Sequence, residues 1–341
     1  MNNRLLVPLA CIWLCSCAAP PRVEHRTLGS IVRLDARLDR LIPPDAHIEV
    51  LAGGLEWTEG PVWIKDGRFL LFSVIPDNKI CKWSEQDGVM TYLKPSGLTG
   101  PKDLRVEPGS NGLLLDSQNR LVLCQHGDRR MARMDAPLAS PAARFTTLAD
   151  RYEGKRFNSP NDACFHSGGA LYFTDPPYGL EKRMDDPAKE LDFQGVFRLG
   201  TDGKLTLLTR DVTRPNGIAF SPDEKTLYVS SSDPDRAVWM AFDVMPDGTI
   251  AGGRVFADMT DRARKGEKGL PDGMKLDAAG NLFAAGPGGL HVFAPDGTLL
   301  GTIATGEATS NCAWGEDGST LFITADQYLL RVRTTTRGNR F

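Results

Sequence analysis

The sequence lacks the features that mark several large classes of protein. Basic residues are not in excess, since 40 Lys and Arg stand against 43 Asp and Glu, and this balance disfavours binding to nucleic acid. Neither a GxSxG elbow nor an HExxH helix nor a GxxxxGK[ST] loop occurs, which removes the motif for serine hydrolases, zincins and P-loop proteins. The chemistry of this chain must therefore come from a different arrangement.

Cysteine is scarce in the body of the chain. After residue 17 only Cys81, Cys124, Cys164 and Cys312 remain, and no CxxC or Cys/His spacing typical of zinc sites is present. A chain of this size can bury a sufficient core without disulfide bonds, so we interpret these four side chains as small buried apolar groups.

No apolar run is long enough to span a membrane, but a shorter one stands at the N-terminus. Arg4 precedes an apolar run from Leu5 to Leu14, which is typical of a signal-peptide core. The following Leu14-Cys15-Ser16-Cys17 resembles the bacterial lipoprotein box and predicts a signal peptide over residues 1–16 and a lipid on Cys17. The alternative is a plain secretory signal that is cleaved after Ala18 or Ala19. We expect an exported, periplasmic protein that is anchored to the outer membrane by this lipid alone.

Residues 17–45 then form a predicted tether and lead-in outside the main domain, with a brief amphipathic helix between Ile31 and Ile42. The rest of the chain is rich in turn residues, with 35 Gly and 23 Pro in total. Asp-Gly pairs separate short apolar runs, which is the signature of hairpins, and helical periodicity is nearly absent. The class is therefore all-β.

A repeat organises these strands. Six similar phrases begin 52, 50, 55, 56 and 39 residues apart: EGPVW, NGLLLD, NDACFH, NGIAFS, DGMKLD and NCAWGE. A unit of this length with about four strands is a propeller blade. We predict a six-bladed β-propeller over residues 46–335, in which an N-terminal strand at His47 to Ala52 completes the last blade and removes an exposed edge.

The first residue of each phrase has a side chain with an oxygen atom. Equivalent positions of a propeller surround one axis, so these six side chains are expected to converge: Glu59, Asn111, Asn161, Asn216, Asp272 and Asn311. Such a set is costly to bury without a partner, and Ca²⁺ accepts both carboxylate and amide oxygens. The alternative is that Asn or Asp before Gly is only turn chemistry.

Longer motifs identify a family. EGPVW, QHGDRR, RFNSPNDA, YFTDPPYG, RPNGIAFSPDEKTLYVS, LPDGM and AGPGGLHVF together resemble the SMP-30/gluconolactonase/LRE-like family of six-bladed, calcium-dependent lactonases and phosphotriesterases. The resemblance implies metal ligation by Glu59, Asn161, Asn216 and Asp272, with Asn111 and Asn311 as pocket or supporting residues. Ca²⁺ is the implied cofactor, and Zn²⁺ or Mg²⁺ are alternatives. The implied activity is hydrolysis of sugar lactones, as in the bacterial gluconolactonases.

Roles follow for a few further residues. Asp272 is the predicted general base for the attacking water, with direct attack by its carboxylate as the alternative. Asn111, His126 and Tyr178 are predicted substrate contacts, against the alternatives of a structural histidine and simple loop packing. Two other functions stay open: the same metal site acting on organophosphates or other esters, and a non-catalytic propeller that binds a sugar or a protein. The sequence does not indicate an oligomeric state.

Overall fold

The computed structural model describes residues 25–101 and 107–341. The predicted signal peptide, Cys17 and the first part of the tether lie outside the described residues. The chain enters through β1 (Ser30–Arg33), a 3-10 helix (Ala36–Arg40) and β2 (Glu49–Ala52). Two further helical turns, a 3-10 helix (Arg183–Asp185) and α1 (Thr260–Arg264), lie in loops.

Six blades follow in chain order. Blade one is β3 (Thr58–Ile64), β4 (Phe69–Val74), β5 (Lys79–Ser84) and β6 (Gly88–Leu93). Blade two is β7 (Ser110–Leu115), β8 (Leu121–Gln125), β9 (Arg130–Met134) and β10 (Phe145–Ala149), followed by the hairpin β11 (Arg151–Tyr152) and β12 (Lys155–Arg156). Blade three is β13 (Ala163–Phe165), β14 (Leu171–Asp175), β15 (Gly195–Leu199) and β16 (Leu205–Thr209). Blade four is β17 (Pro215–Phe220), β18 (Thr226–Asp233), β19 (Arg236–Val244) and β20 (Ile250–Asp258). Blade five is β21 (Met274–Leu276), β22 (Leu282–Gly286), β23 (Gly289–Phe293) and β24 (Leu299–Ala304). Blade six is β25 (Thr309–Gly315), β26 (Thr320–Ala325) and β27 (Tyr328–Arg333).

The blades form a closed ring. Within each blade the strands are antiparallel and stay in chain order. The first strand of each blade contacts the first strand of the next, and β25 contacts β3 to complete the circle. The predicted six-bladed β-propeller is confirmed.

The core lies between neighbouring blades. Leu71 of blade one and Leu123 of blade two share one buried cluster, and the rings of Phe283 and Trp314 join blades five and six with centroids 5.0 Å apart. A blade buries both faces in this way, so its second strand is mainly apolar on both faces instead of alternating; β4 and β26 are buried along their whole length. These second strands are the repeated apolar runs of the sequence.

The N-terminal strand closes the last blade as predicted. β2 pairs antiparallel with β27, and Glu49 lies opposite Arg331. The Arg331 side chain is only 4% exposed and donates to Glu49 and to Glu85, each at 2.7 Å. The ion pairs of the buried Arg331 side chain therefore reinforce the pairing of β2 with β27, which covers the edge that β27 would otherwise expose.

The lead-in differs from its prediction. Ser30–Arg33 is a strand, not the start of a helix, and it pairs with β24 as a fifth strand of blade five. Only Ala36–Arg40 is helical, and Leu38 is completely buried against blade five, as is Ile42 just after the helix. The lead-in is therefore part of the packed structure, contrary to the expectation that it lies outside the ring.

The C-terminal residues are also integrated beyond residue 335. Gly338 forms a β-bridge with Asp277, and the Asn339 N–H donates to the Leu276 carbonyl at 3.0 Å. In the described part of the chain, no helix has the length and apolar character needed to cross a bilayer.

Candidate active site

Five of the six converging residues line one cavity at the propeller axis. Glu59, Asn111, Asn161, Asn216 and Asp272 contribute to its wall, and its volume is about 310 Å³. Asn311 is buried beside them but does not line the cavity. Its Nδ2 donates to Glu59 Oε2 at 3.3 Å and its Oδ1 accepts from the Cys312 N–H, so it supports Glu59 across the seam between blades six and one.

Glycine after the ring residue lets adjacent blades approach each other at the axis. A Cβ on Gly60 would lie 2.1 Å from the Asn111 carbonyl oxygen, and one on Gly217 would lie 2.2 Å from that of Asp272. The turn-chemistry alternative is wrong here, because Gly60 and Gly217 lie inside strands β3 and β17, at irregularities in the pairing register. At these two positions the glycine after the ring residue is thus a requirement of close blade packing.

Replacing Gly60 with Ala should destabilise the propeller and spread the ring. Gly60 has a φ of +52° in addition to the close contact, so the variant suffers both backbone strain and overpacking. We expect a loss of about 1–3 kcal/mol in the free energy of unfolding, measured by urea denaturation. Gly88→Ala is the matched control, since Gly88 has a φ of +66° but a Cβ added there would meet no atom within 4 Å. Equal losses in the two variants would contradict the packing argument.

Three amide oxygens on the cavity wall have no hydrogen-bond partner among residues 25–101 and 107–341. Asn111 Oδ1, Asn161 Oδ1 and Asn216 Oδ1 are buried and accept no hydrogen bond. For Asn216 the orientation has a visible cause, since its Nδ2 donates to Ser232 Oγ at 3.0 Å while Ser232 donates to the Pro271 carbonyl. Buried polar atoms are rarely left without partners, so converging orphan oxygens fit a hard cation.

The buried carboxylates at the axial cavity would be stabilised in their ionised form by a nearby positive charge. Burial raises the pKa of Glu59 to about 8, and the negative charge of Asp162 adds to the effect while the Gly60 N–H opposes it. Burial raises the pKa of Asp272 well above its ordinary value, and repulsion from Glu59 and Asp162 contributes. Three acidic groups in one channel therefore resist ionisation together unless a cation neutralises them.

The side chain of Lys275 supplies one positive charge beside these carboxylates. Lys275 Nζ donates to the Met274 carbonyl at 3.0 Å and lies 3.4 Å from Asn311 Oδ1. Its positive charge opposes the rise that burial causes in the pKa of Glu59 and of Asp162. Lys275 offsets one of the negative charges at the cavity, and the excess of carboxylates that remains favours a divalent cation. The residues present thus fit a bound Ca²⁺ in charge as well as in donor type.

Asp162 is a residue that the sequence reasoning missed. It occupies the position where blades one, two, four and five have the glycine after the ring residue, and burial raises its pKa. A signal was available, because the phrase NDACFH breaks the Asn-Gly pattern with an acidic residue.

Tyr178 lies on the cavity wall. Its hydroxyl is 3.4 Å from the Ser232 carbonyl, and burial raises the pKa of its phenol, so the side chain stays neutral. Arg183, from the loop that follows, covers the Tyr178 ring at 5.6 Å and also borders the cavity. The position suits the predicted substrate contact, which stays a prediction.

His126 lies one layer behind the wall. Its side chain is fully buried and does not border the cavity, whereas Glu107, which was not predicted, does. His126 Nδ1 lies 3.2 Å from Glu107 Oε2. The structure therefore places Glu107 where the sequence suggested that the histidine would meet substrate.

Comparison with known proteins identifies the family. The profile of the SMP-30/Gluconolactonase/LRE-like region matches residues 57–327, which includes every residue of the ring. The chain belongs to this family. A gluconolactonase of Zymomonas mobilis is 43% identical over 94% of this chain and 90% of its own length. A solved gluconolactonase structure from Xanthomonas campestris is 34% identical, with a TM-score of 0.77 over 93% of this chain and 100% of that one.

More distant members widen the comparison. A pentonolactonase of Haloferax volcanii is 26% identical over 78% of this chain and 80% of its own length. The residues to which the family resemblance assigns metal binding are those that the structure brings together: Glu59, Asn161, Asn216 and Asp272.

Proposed function

We propose that this family member hydrolyses sugar lactones to aldonic acids at the axial cavity and that it uses Ca²⁺. The activity as a lactone-hydrolysing enzyme is supported by similarity to the gluconolactonase of Zymomonas mobilis over nearly the full chain. The observation that carries the cation is the set of unpartnered amide oxygens of Asn111, Asn161 and Asn216 on a cavity wall that also has three acidic side chains.

Glu59, Asn161, Asn216 and Asp272 would hold the cation. When bound, it would supply Lewis-acid polarisation of the lactone carbonyl and charge stabilisation of the oxygen that becomes negative. Asn111 faces the same space with a free amide oxygen and is available to substrate.

We assign the proton transfer to Asp272. Its Oδ1 accepts the Gly273 N–H at 3.0 Å, whereas its Oδ2 has no partner among the residues described. In the proposed reaction this carboxylate takes a proton from the attacking water as the water oxygen bonds to the lactone carbonyl carbon. The ring C–O bond then breaks, and the proton passes to the departing alkoxide, which becomes a hydroxyl of the aldonic acid.

Removal of divalent cations tests the proposal directly. Exhaustive chelation should abolish hydrolysis of glucono-1,5-lactone and lower the melting temperature, and added Ca²⁺ should restore both. When the free Ca²⁺ concentration is about 100 times the dissociation constant, binding to the native state alone stabilises that state by about 2.7 kcal/mol. Add-back of Mg²⁺ and Zn²⁺ identifies the preferred ion. If neither melting nor activity responds to chelation, the cation site is wrong.

A further inference from the structure

A carboxylate and an imidazole form a second polar unit beside the cation ring. Glu107 borders the cavity with a side chain 17% exposed, and His126 is 0% exposed behind it with Nδ1 at 3.2 Å from Oε2. We propose that Glu107, oriented by His126, accepts hydrogen bonds from the hydroxyl groups of the substrate and makes the enzyme select polyhydroxylated lactones. This inference rests on the proposed lactonase function.

His126 is fixed in its place. Its backbone N–H donates to the Gly109 carbonyl at 3.2 Å, and its carbonyl accepts the Arg129 N–H at 3.1 Å. Gly179 packs so closely on it that a Cβ there would lie 2.7 Å from His126 Cβ. The imidazole therefore has little freedom, and its position defines that of the carboxylate in front of it.

The contact between the two groups is polar but not fully aligned. The distance allows a hydrogen bond, yet both ring nitrogens lack a partner with good hydrogen-bond geometry. A carboxylate oxygen can only accept, so an attractive contact requires an N–H on Nδ1. Such contacts are often loose in the absence of substrate and tighten when it binds. His126 does not border the cavity, so it acts as a positioning residue.

Glu107 is otherwise uncommitted. The described residues offer it no other hydrogen bond or ion pair. A carboxylate oriented on one side and open on the other is a strong acceptor for hydroxyl donors, because hydrogen bonds to a charged group are about twice as strong as neutral ones. Glu107 and Asp272 line the same cavity, so a substrate bound at the ring lies within reach of both.

Two lactones that have the same six-membered ring but differ in their hydroxyl groups distinguish hydroxyl recognition from lactone hydrolysis. Glucono-1,5-lactone carries hydroxyls, whereas δ-valerolactone has the same six-membered lactone without them. In Glu107→Gln, the ratio of kcat/KM for the first to kcat/KM for the second should fall by about 10- to 100-fold, the scale for loss of a charged hydrogen bond to substrate. Glu181→Gln, which changes an exposed carboxylate, is the matched control and should keep the wild-type ratio.

Two variants test the positioning role of His126. His126→Leu removes the N–H and should lower the same ratio, mainly through KM, whereas His126→Asn keeps an amide N–H near the position of Nδ1 and should recover part of it. Melting curves confirm that the variants are folded. An unchanged ratio in Glu107→Gln, or equal ratios in the Leu and Asn variants, would overturn the inference.

A binding measurement keeps this test separate from the proposed function. D-sorbitol has the hydroxyls but no carbonyl, and calorimetry should detect its binding to the wild type and a loss of at least about tenfold in affinity in Glu107→Gln. If no lactone is hydrolysed but this difference is found, the proposed reaction fails while the role of Glu107 stands. If sorbitol binds both proteins equally, the role of Glu107 fails.

Discussion

Asp272→Asn is expected to lose about two or more orders of magnitude in turnover even when Ca²⁺ saturates the protein, the scale for a positioned acid–base group. The substitution keeps an oxygen ligand of nearly the same size but removes a negative charge and the ability to accept a proton. Calcium should bind more weakly, since the channel loses one of its acidic groups. Turnover is measured across a calcium titration, so that the plateau reports chemistry and the midpoint reports binding.

Glu59→Gln is the matched control for this experiment. It removes the same charge from the same ring, but the proposed reaction assigns Glu59 to metal binding alone, and its Oε2 accepts hydrogen bonds from the Gly60 N–H at 2.7 Å and from Asn311. Its calcium midpoint should shift while its plateau stays close to that of the wild type. If the plateau of Asp272→Asn also recovers to near-normal turnover, Asp272 is a metal ligand only.

A chain that begins at residue 46 is expected to be far less stable than one that begins at residue 25. The shorter chain loses β1 from the edge of blade five together with Leu38 and Ile42, both 0% exposed. Complete burial of each such side chain contributes about 1.5–3 kcal/mol, so the loss amounts to several kcal/mol before the strand pairing is counted. Melting temperature and urea midpoint measure it in both chains.

The substitution Leu38→Ala in the longer chain isolates one part of this loss. It should cost about 2–5 kcal/mol, because a large apolar side chain is removed from a closed site. Equal melting temperatures for the two truncated chains would show that the lead-in contributes nothing and that a domain boundary at residue 46 is adequate.

The ring of polar side chains at the axis was predictable because each blade has an oxygen-bearing residue at the same position of its repeat. Glu59, Asn161, Asn216 and Asp272 stand in equivalent positions of their blades, and a propeller must bring equivalent positions to one axis. The turn pairs and the apolar second strands were readable for the same reason, since each occurs in several copies. A pattern present once per blade gives several independent observations of one structural rule.

The remaining features occur only once and depend on packing between distant segments. Ser30–Arg33 is four residues long, and only its pairing with Gly301 to Ala304 of blade five makes it a strand. Glu107 belongs to no motif, and it meets His126 only because the segment before β7 lies against the end of β8. Asp162 breaks the Asn-Gly pattern in the sequence, but its burial beside Glu59 and Asp272 follows only from the close contact of the neighbouring blades.

The pairing of β2 with β27 also sets the order in which this protein can assemble. Residues 49 and 331 stand opposite each other, so the last blade joins segments from the two ends of the chain, whereas blades one to four are built from consecutive strands and blade five adds only β1 at its outer edge. Pairing over such a separation is slow, because a very long loop must close before the contact forms. Ser310 Oγ donates to the Thr58 carbonyl at 2.7 Å, so the seam between blades six and one, which positions Glu59, also joins the two ends of the chain. A nascent chain that has not reached blade six can therefore form hairpins and the earlier blades, but the ring that contains Glu59, Asn161, Asn216 and Asp272 closes only when blade six joins blade one.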